Sequence, residues 1–145
     1  MSIEDVVLGP LLRAHELLYK RSGGRIGHRA LGVPCLLLHT TGRRSGQPRT
    51  SSLVYAKDGE DLIVVASAGG AEKHPAWFHN VVAHPDVEFQ VGTTRRPGTA
   101  RVIEASDPDY ARLWQLMNAS NHDRYATYQT KPSRPIPLVA IAPRD

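Results

Sequence analysis

The sequence predicts an α+β protein with an antiparallel β-barrel of about six strands and three or four peripheral helices. Short apolar or alternating runs recur along the middle of the chain, and Asp58-Gly59 joins two of them in the pattern of a tight hairpin. No helix is predicted regularly between successive strands, as a doubly wound sheet requires. The 145 residues fit one domain, with an amphipathic helix and connector over residues 1–30 and the barrel over residues 31–145.

The first predicted element is an amphipathic helix. Ser2 and Asp5 resemble a capping box, and Leu11, Ala14 and Leu18 continue at helical spacing. Packing on the core is the common fate of such a helix, and contact with a membrane surface is the alternative. No stretch approaches the ~18–20 apolar residues of a membrane span, and no secretory leader is predicted. Together with a single cysteine, Cys35, these features predict a cytoplasmic protein.

Six strands are predicted from apolar runs or from alternation of apolar and polar residues. A buried strand over residues 33–40 reaches its successor through a turn at 41–46, and residues 87–91 alternate so that one face is buried. Pro97-Gly98 is predicted to turn the chain into the fifth strand. The predicted strands cover residues 33–40, 49–56, 62–66, 87–91, 99–105 and 138–142.

Two further helices are predicted beside the barrel. Pro75 suits a first helical turn, and an apolar stripe then runs to a stop at His84-Pro85. The stripe comprises Trp77, Phe78, Val81 and Val82. Asp107-Pro108 begins the other helix, whose apolar residues recur at i, i+3, i+4 and i+7 from Tyr110. The stretch 120–137 contains three prolines and is predicted to be an irregular loop of the kind that often serves as a lid.

A net charge of +4 favours an acidic partner: nucleic acid, anionic lipid or an anionic coenzyme. Segment 40–49, Thr-Thr-Gly-Arg-Arg-Ser-Gly-Gln-Pro-Arg, concentrates three arginines around a tight turn. The planar guanidinium group matches phosphate and carboxylate oxygens, and backbone N–H groups of a turn add donors. The segment is therefore a candidate anion site, with a solvated hairpin tip as the alternative.

Two other segments are candidate parts of a site. Segment 67–75, Ser-Ala-Gly-Gly-Ala-Glu-Lys-His-Pro, runs from a predicted strand into a predicted helix, and its paired glycines let a planar ligand approach the backbone. It fits neither G-x-G-x-x-G nor a P-loop. Tyr125 and Tyr128 lie three positions apart and would share one face of a helical turn. They would either line an acceptor pocket or close the barrel.

Neither a metal centre nor a nucleophilic triad is predicted. His74, His79 and His84 recur every five residues, which turns successive rings about 140° apart on a helix. The sequence contains no H-E-x-x-H motif and no cysteine cluster. Triads are recognised by geometry rather than by order along the chain, so none is assigned.

Taken together, these segments resemble the deazaflavin-dependent nitroreductases and related F420-dependent quinone reductases, split β-barrel enzymes of actinobacteria. The resemblance covers residues 31–143 and implies an antiparallel split β-barrel. It also implies a reductase that passes hydride from the reduced deazaflavin F420 to a quinone, a nitroaromatic or another conjugated acceptor. It rests on the joint order of Leu-His-Thr-Thr-Gly-Arg-Arg-Ser-Gly-Gln-Pro-Arg at 38–49, Ala-Ser-Ala-Gly-Gly-Ala-Glu-Lys-His-Pro-Ala-Trp at 66–77, Tyr-x-x-Tyr-Gln at 125–129 and Ile-Pro-Leu-Val at 136–139.

The resemblance assigns roles residue by residue. The arginines would hold the phosphodiester and acidic tail of F420, the glycine turn would pass along its ring, and the helix that follows would support that ring. The implied coenzyme contacts are Arg43, Arg44, Gln47, Pro48, Arg49, Ser67, Ala68, Gly69, Gly70, Trp77 and Asn80. The implied acceptor-side residues, which include proton sources, are Ser67, His122, Tyr125 and Tyr128.

Two positions depart from the family pattern. Ala68 stands where a lysine is common, which removes one favourable charge near the coenzyme. His122 stands where a third tyrosine is often found, which puts nitroimidazole reduction in question. A histidine there would instead supply a proton near about pH 6.5.

Three other functions remain open at this point. They are an FMN oxidoreductase on the same barrel, a non-catalytic carrier of F420, and a nucleic-acid-binding barrel. The last is the weakest, because the sequence shows no strand face with interleaved aromatic and basic residues. The expected partner is a small-molecule acceptor, and the expected assembly is a monomer or weak homodimer.

Overall fold

An antiparallel sheet of eight strands is the main element of the fold. This computed structural model describes residues 14, 17–22, 29–30, 33–121, 123–130 and 134–144. The sheet order is β1-β2-β6-β7-β8-β5-β4, and β3 pairs additionally with β2. This curled sheet confirms the predicted fold class, a split β-barrel. The strands are β1 (Arg29–Ala30), β2 (Val33–Thr41), β3 (Pro48–Val54), β4 (Ala56–Asp58), β5 (Asp61–Val65), β6 (Asp86–Val91), β7 (Thr94–Ile103) and β8 (Leu138–Pro143).

Helices surround the sheet and close one of its ends. Those of the described residues are α1 (17–21), α2 (Ala76–Ala83), α3 (Tyr110–Ser120) and α4 (Arg124–Gln129), and a single 3-10 turn spans Ala68–Gly70. None of these helices has the length and apolarity needed to cross a bilayer.

The barrel interior is filled by apolar side chains from alternate strand positions, such as Leu36 and Leu38 of β2. Helix α2 closes the end of the barrel at which β5 finishes, because Trp77, Phe78 and Val81 pack into the same cluster. Val82, predicted in the apolar stripe, is 58% exposed. It follows the buried Val81 directly, and consecutive helical residues are rotated by about 100°, so the two cannot share one face. A second cluster lies outside the sheet, where α3 and α4 cover β5 and β8.

Helix α1 is attached to the outer face of β2 through Tyr19. The Tyr19 ring is fully buried against Cys35 and Leu37. Its hydroxyl donates to the carbonyl oxygen of Cys35 at 3.1 Å and accepts from the N–H of Gly92 at 3.1 Å. Leu18, predicted on the apolar face, is 48% exposed, so the buried face is displaced by one residue. The predicted cap, Ser2 and Asp5, and Leu11 lie outside the described residues.

Strand β7 begins earlier than the sequence indicates. The chain turns at residues 92–93, and Pro97-Gly98, predicted as a turn, lies inside the strand. A Cβ on Gly98 would lie 2.8 Å from Ile141 Cγ2 and 3.2 Å from Phe89 Cδ1, closer than packed carbon atoms normally approach. The glycine therefore permits close packing across the barrel rather than a change of direction.

The predicted strand 49–56 is also interrupted. It breaks at Tyr55, so that β3 pairs with β2 while β4 pairs with β5. The second pair is the hairpin that Asp58-Gly59 predicts. The chain thereby passes from one side of the barrel to the other at a single residue.

The predicted loop 120–137 contains a helix. Helix α4 begins four residues after α3 ends, and Asn118 Oδ1 accepts from the N–H of Ala126 at 2.8 Å, which fixes the first turn of α4 to α3. Residues 131–133 of the predicted loop lie outside the described residues.

Candidate functional site

The arginine turn, defined here as residues 42–49, joins β2 to β3 and is shaped by its own backbone. The N–H of Gly42 donates to the carbonyl oxygen of Gln47 at 2.8 Å, and that of Gly46 donates to the carbonyl oxygen of Gly42 at 2.9 Å. The N–H of Gln47 donates to Ser45 Oγ at 3.2 Å. Gln47 thus builds the turn with its backbone and is exposed to solvent, as is Pro48 at the start of β3.

Asn80 of α2 fixes this turn to the barrel end. Its Oδ1 accepts from the N–H of Arg43 at 3.0 Å, and its Nδ2 donates to Thr40 Oγ1 at 3.2 Å. The side chain is buried, 6% exposed, and both ends of its amide are engaged within the protein. Asn80 therefore sets the position of the turn from below. Direct contact with a coenzyme, as the sequence predicts for Asn80, stays a prediction.

The three arginines of the turn have no carboxylate partner among the described residues. Arg43, Arg44 and Arg49 are all exposed, and the guanidinium of Arg49 donates only to the carbonyl oxygen of Pro48 at 3.4 Å. Other arginines do have such partners: the ion pairs of the described chain include Arg95 with Glu88, Arg101 with Asp107 and Arg112 with Asp58. The arginine turn is thus a cluster of cations without internal neutralisation, and it favours an external anion.

The Ser67 turn, defined as residues 67–71, follows β5 at the same end of the barrel as the arginine turn. The N–H of Gly70 donates to the carbonyl oxygen of Ser67 at 2.9 Å, and that of Ala71 to the carbonyl oxygen of Ala68 at 3.2 Å. Ala68 has a φ of +49°. This left-handed conformation costs a residue with a Cβ roughly 1–2 kcal/mol. A conformation of this cost persists only where neighbouring contacts enforce it.

Arg134 supplies such contacts and was not identified from the sequence. Its Nε donates to the carbonyl oxygen of Ala71 at 2.9 Å and its Nη2 to that of Ser67 at 3.0 Å. Its Nη1 lies 3.3 Å from the carbonyl oxygen of Ala66 and 3.1 Å from His74 Nδ1. One half-buried side chain therefore joins the segment before β8 to both ends of the Ser67 turn.

Gln129, the last residue of α4, holds the segment that carries Arg134. Its Nε2 donates to the carbonyl oxygen of Arg134 at 2.9 Å, and its Oε1 accepts from the N–H of Ile136 at 2.8 Å. The Tyr-x-x-Tyr-Gln motif thus ends in a residue that positions the backbone of Arg134.

Helix α4, which carries the two predicted tyrosines, lies against the 3-10 turn at Ala68–Gly70. Their ring centroids are 6.2 Å apart in an edge-to-face arrangement, as expected for one helical face. Tyr125 is 5% exposed and packs 6.5 Å from the ring of Trp114 in the outer core cluster. Tyr128 is half-buried at the margin of that cluster. Of the two, Tyr128 is therefore the better placed to meet a ligand.

An open cleft of about 510 Å³ adjoins the arginine turn at Arg43 and the segment 72–79, which follows the Ser67 turn. Three cationic side chains, Arg43, Lys73 and Arg134, line it together with one carboxylate, Glu72. The other lining residues are His74, Ala76 and His79. A second cavity of about 280 Å³ lies at the opposite end of the barrel, near Tyr55 and the first residues of β5. The first cleft has the charge that an acidic ligand requires.

The two histidines of the cleft favour the neutral form. Burial lowers the pKa of His74, and the nearby charge of Arg134 lowers it further. The pKa of His79 is lowered by burial and then by Arg43 and Arg44. Because Arg134 donates to His74 Nδ1, the proton of the neutral ring is on Nε2. Within the described chain, no three His, Cys, Asp or Glu residues are grouped to hold a metal ion.

The structure thus brings most of the predicted site residues to one end of the barrel. Arg43 lines the cleft, Asn80 lies beneath it, the Ser67 turn adjoins α4, and Trp77 is buried below in the core. Among the described residues, Arg43 is the one predicted site residue that lines the cleft. Of the others, these lie outside its lining: Arg44, Gln47, Pro48, Arg49, Ser67, Ala68, Gly70, Trp77, Asn80, Tyr125 and Tyr128. His122 lies outside the described residues.

Comparisons with known proteins agree with this arrangement. A model of the F420H(2)-dependent quinone reductase family matches residues 11–143. The F420H(2)-dependent quinone reductase of Mycobacterium tuberculosis is 53% identical over 135 residues, 92% of this chain and 91% of the relative. A solved F420-H2 dependent reductase is 38% identical, with a TM-score of 0.66 over 74% of this chain and 93% of that chain. A solved domain-swapped dimer is 35% identical, with a TM-score of 0.68 over 97% and 99%.

The fold and the site define a split-barrel protein whose cationic turn and glycine-containing turn suit an acidic, ring-bearing coenzyme. The chain belongs to the F420H(2)-dependent quinone reductase family. This membership confirms the resemblance found in the sequence, the coenzyme F420 and the enzyme class, an F420-dependent reductase.

Proposed function

We propose that this protein reduces a quinone with F420 as hydride donor, and that the cleft lined by Arg43, Lys73 and Arg134 holds the acidic part of the coenzyme. The observation that supports this most directly is the set of three exposed arginines without a carboxylate partner in the described chain, on a turn fixed by Asn80. A phosphodiester and an acidic tail supply the anions that such a cluster lacks.

The residues present fit F420 by their chemistry. Arg43, Arg44 and Arg49 would hold the anionic tail, with Gln47 and Pro48 shaping the same turn. The Ser67 turn, through Ala68, Gly69 and Gly70, would lie along the deazaflavin ring, and Trp77 would support this end of the barrel from within the core. When bound, the coenzyme supplies a hydride donor, so that no metal is required for the redox step.

The side chains near the Ser67 turn supply position and protons. A quinone that accepts a hydride also needs a proton on oxygen, and a phenol or hydroxyl within hydrogen-bond reach is a suitable donor. Tyr128 on α4 and Ser67 on the turn flank the place where such an acceptor would lie. Tyr125 supports Tyr128 through their edge-to-face contact. His122 is proposed as a further proton source on the sequence argument alone.

A quinone is the proposed acceptor in preference to a nitroaromatic. The relatives in M. tuberculosis and M. bovis are described as quinone reductases. His122 replaces the third tyrosine that the resemblance associates with nitroimidazole reduction. An apolar quinone also suits the apolar surroundings of Tyr128.

Calorimetric titration with F420 and with FMN, followed by addition of menadione to the complex with reduced F420, tests the proposal. We expect F420 binding at one site per chain and oxidation of the coenzyme by menadione. Stoichiometric binding of FMN without F420 binding would show an FMN oxidoreductase. Binding of F420 without oxidation would show a carrier.

Removing the Tyr128 hydroxyl is expected to slow quinone reduction with little effect on F420 affinity. A neutral hydrogen bond lost in Tyr128→Phe is worth about 0.5–1.5 kcal/mol. A positioning role for the hydroxyl therefore gives about a 2- to 13-fold loss of kcat/KM for menadione. Loss of a proton donor gives about 100-fold or more. Tyr55→Phe, at the opposite end of the barrel, is the control. If F420 affinity falls as steeply as turnover, Tyr128 belongs to the coenzyme pocket instead.

We further propose a cytoplasmic protein that contacts the inner membrane face through α1. Leu17 and Leu18 are each 48% exposed beside Lys20 and Arg21, a pattern that suits an anionic membrane surface. Sedimentation with phosphatidylglycerol vesicles, compared with phosphatidylcholine vesicles, tests this contact.

For assembly we propose a monomer or weak homodimer. Light scattering distinguishes these states from a domain-swapped dimer, the form of one solved relative.

A further inference from the structure

Arg134 is hydrogen-bonded to the Ser67 turn and to residues on either side of it. Three of its hydrogen bonds go to backbone carbonyl oxygens, those of Ala66, Ser67 and Ala71, and a fourth goes to His74 Nδ1. These acceptors lie before, within and after the turn. A single rigid guanidinium group therefore determines the distance between the two ends of the turn.

We infer that Arg134 is a positioning residue for F420 binding and hydride transfer, because it holds the Ser67 turn in the shape along which the deazaflavin ring lies. This inference rests on the proposed function. Arg134 also lines the cleft. The inferred role is exerted through the turn, whose residues 67–70 would touch the ring.

The geometry requires a guanidinium group rather than a positive charge alone. Arginine presents five N–H donors in a fixed plane, whereas a lysine ammonium presents three donors from one atom. Arg134 uses donors on three separate nitrogen atoms to reach its acceptors. A lysine at this position would keep the charge and could not span the same carbonyl groups.

The left-handed backbone conformation of Ala68 explains why the turn should change shape when the Arg134 side chain is removed. Ala68 has a φ of +49° and lies between carbonyl groups that Arg134 engages. The carbonyl oxygen of Ser67 accepts both from Arg134 and from the N–H of Gly70. Without the guanidinium, the left-handed residue loses contacts on both sides, and the turn is free to relax.

The backbone that carries Arg134 is fixed independently of the Ser67 turn. Gln129 of α4 binds the carbonyl oxygen of Arg134 and the N–H of Ile136. Among the described residues, no carboxylate lies within ion-pair distance of the Arg134 guanidinium. Its hydrogen bonds thus go to the turn, to Ala66 and to His74, while the charge of Glu72 acts on it at longer range.

Arg134→Lys and Arg134→Ala test the inference, with Arg101→Lys and Arg101→Ala as controls. Arg101 is an exposed arginine of β7 whose ion pair is with Asp107. Displacement of reacting groups by about 1 Å costs on the order of 100-fold in rate. We expect both Arg134 variants to lose about 10- to 100-fold in kcat and in F420 affinity. KM for menadione should change little, and the unfolding midpoint should fall less in Arg134→Lys than in Arg134→Ala, which leaves backbone carbonyl oxygens without a donor.

Two further measurements separate positioning from other roles. Hydrogen exchange of the 67–71 amides, measured without coenzyme, should accelerate in both Arg134 variants and stay unchanged in both Arg101 variants. Guanidinium ion at low millimolar concentration should restore part of the turnover of Arg134→Ala. Wild-type activity and affinity in Arg134→Lys would overturn the inference, as would exchange that accelerates uniformly over the whole chain.

The same experiments keep this inference distinct from the proposed function. If the wild-type protein does not bind F420, the proposed function fails, while hydrogen exchange still reports whether Arg134 holds the turn. If Arg134→Ala fails to fold, the activity, F420 affinity and hydrogen exchange of Arg134→Lys test the inference. Unchanged exchange at residues 67–71 in Arg134→Lys would overturn the positioning role even where F420 binding by the wild type is established.

Discussion

Replacement of Arg43 by alanine is expected to weaken F420 binding about 10- to 100-fold. Arg43 is the arginine of the turn that lines the cleft, and among the described residues no carboxylate forms an ion pair with it. Its N–H is bound to Asn80 Oδ1, which places the residue at the barrel end whatever its side chain does. A charge-assisted hydrogen bond contributes about 1.5–3 kcal/mol, and the range of affinity loss follows from that value. Calorimetric titration of the wild type and the variant with F420 measures this loss of affinity.

Arg101→Ala is the matched control for Arg43→Ala, because it removes the same charge from an exposed site elsewhere on the protein. It should leave F420 affinity unchanged, apart from a small effect of net charge that disappears as salt is raised. Equal losses in the two variants would show a general electrostatic attraction rather than a site. Unchanged affinity in Arg43→Ala, Arg44→Ala and Arg49→Ala would show that the turn is a solvated hairpin tip.

Replacement of Tyr125 by alanine is expected to lower the free energy of unfolding by about 3–5 kcal/mol, the cost of removing a large buried aromatic side chain. Tyr125 is 5% exposed and packs near Trp114 within the outer cluster formed by α3, α4 and the sheet. Tyr125→Phe keeps the ring and should cost no more than about 1.5 kcal/mol. Urea unfolding of the three proteins, followed by tryptophan fluorescence, measures both values.

This prediction separates two roles that the sequence gives to Tyr125 and Tyr128 jointly. If Tyr125 acts through packing, Tyr125→Phe retains quinone reduction. If Tyr125→Phe is as stable as the wild type and has lost about 100-fold or more of its turnover, the residue is a proton donor, and the packing role is insufficient.

The fold could be predicted where local patterns and tertiary structure agree. Residues 87–91 alternate, and β6 covers Asp86–Val91 with alternating burial in its first four residues. The first three residues of β7, 94–96, are exposed and show no such pattern, so only pairing with β6 defines them. Helix α4 is short and polar in sequence. It is stabilised by the contact of Ala126 with Asn118, which hydropathy does not reveal.

The site could be predicted where its parts are local turns. The arginine turn and the Ser67 turn are each visible as short sequence segments, and each forms as a compact turn. Arg134 could not be found this way, because its acceptors lie 60 to 68 residues earlier in the chain. Its only local signal is an arginine directly before the Pro-Ile-Pro segment. Asn80 was identified, although its buried amide indicates that it supports the turn from below.

The filled barrel interior constrains the path by which ligands reach the cleft. Side chains such as Leu36, Leu38 and Trp77 occupy the space between the two ends of the described barrel, so the cleft at one end is separated from the cavity at the other. A coenzyme held in the cleft therefore has no passage through the described barrel to that cavity, and an acceptor would have to approach it from the solvent side of the cleft.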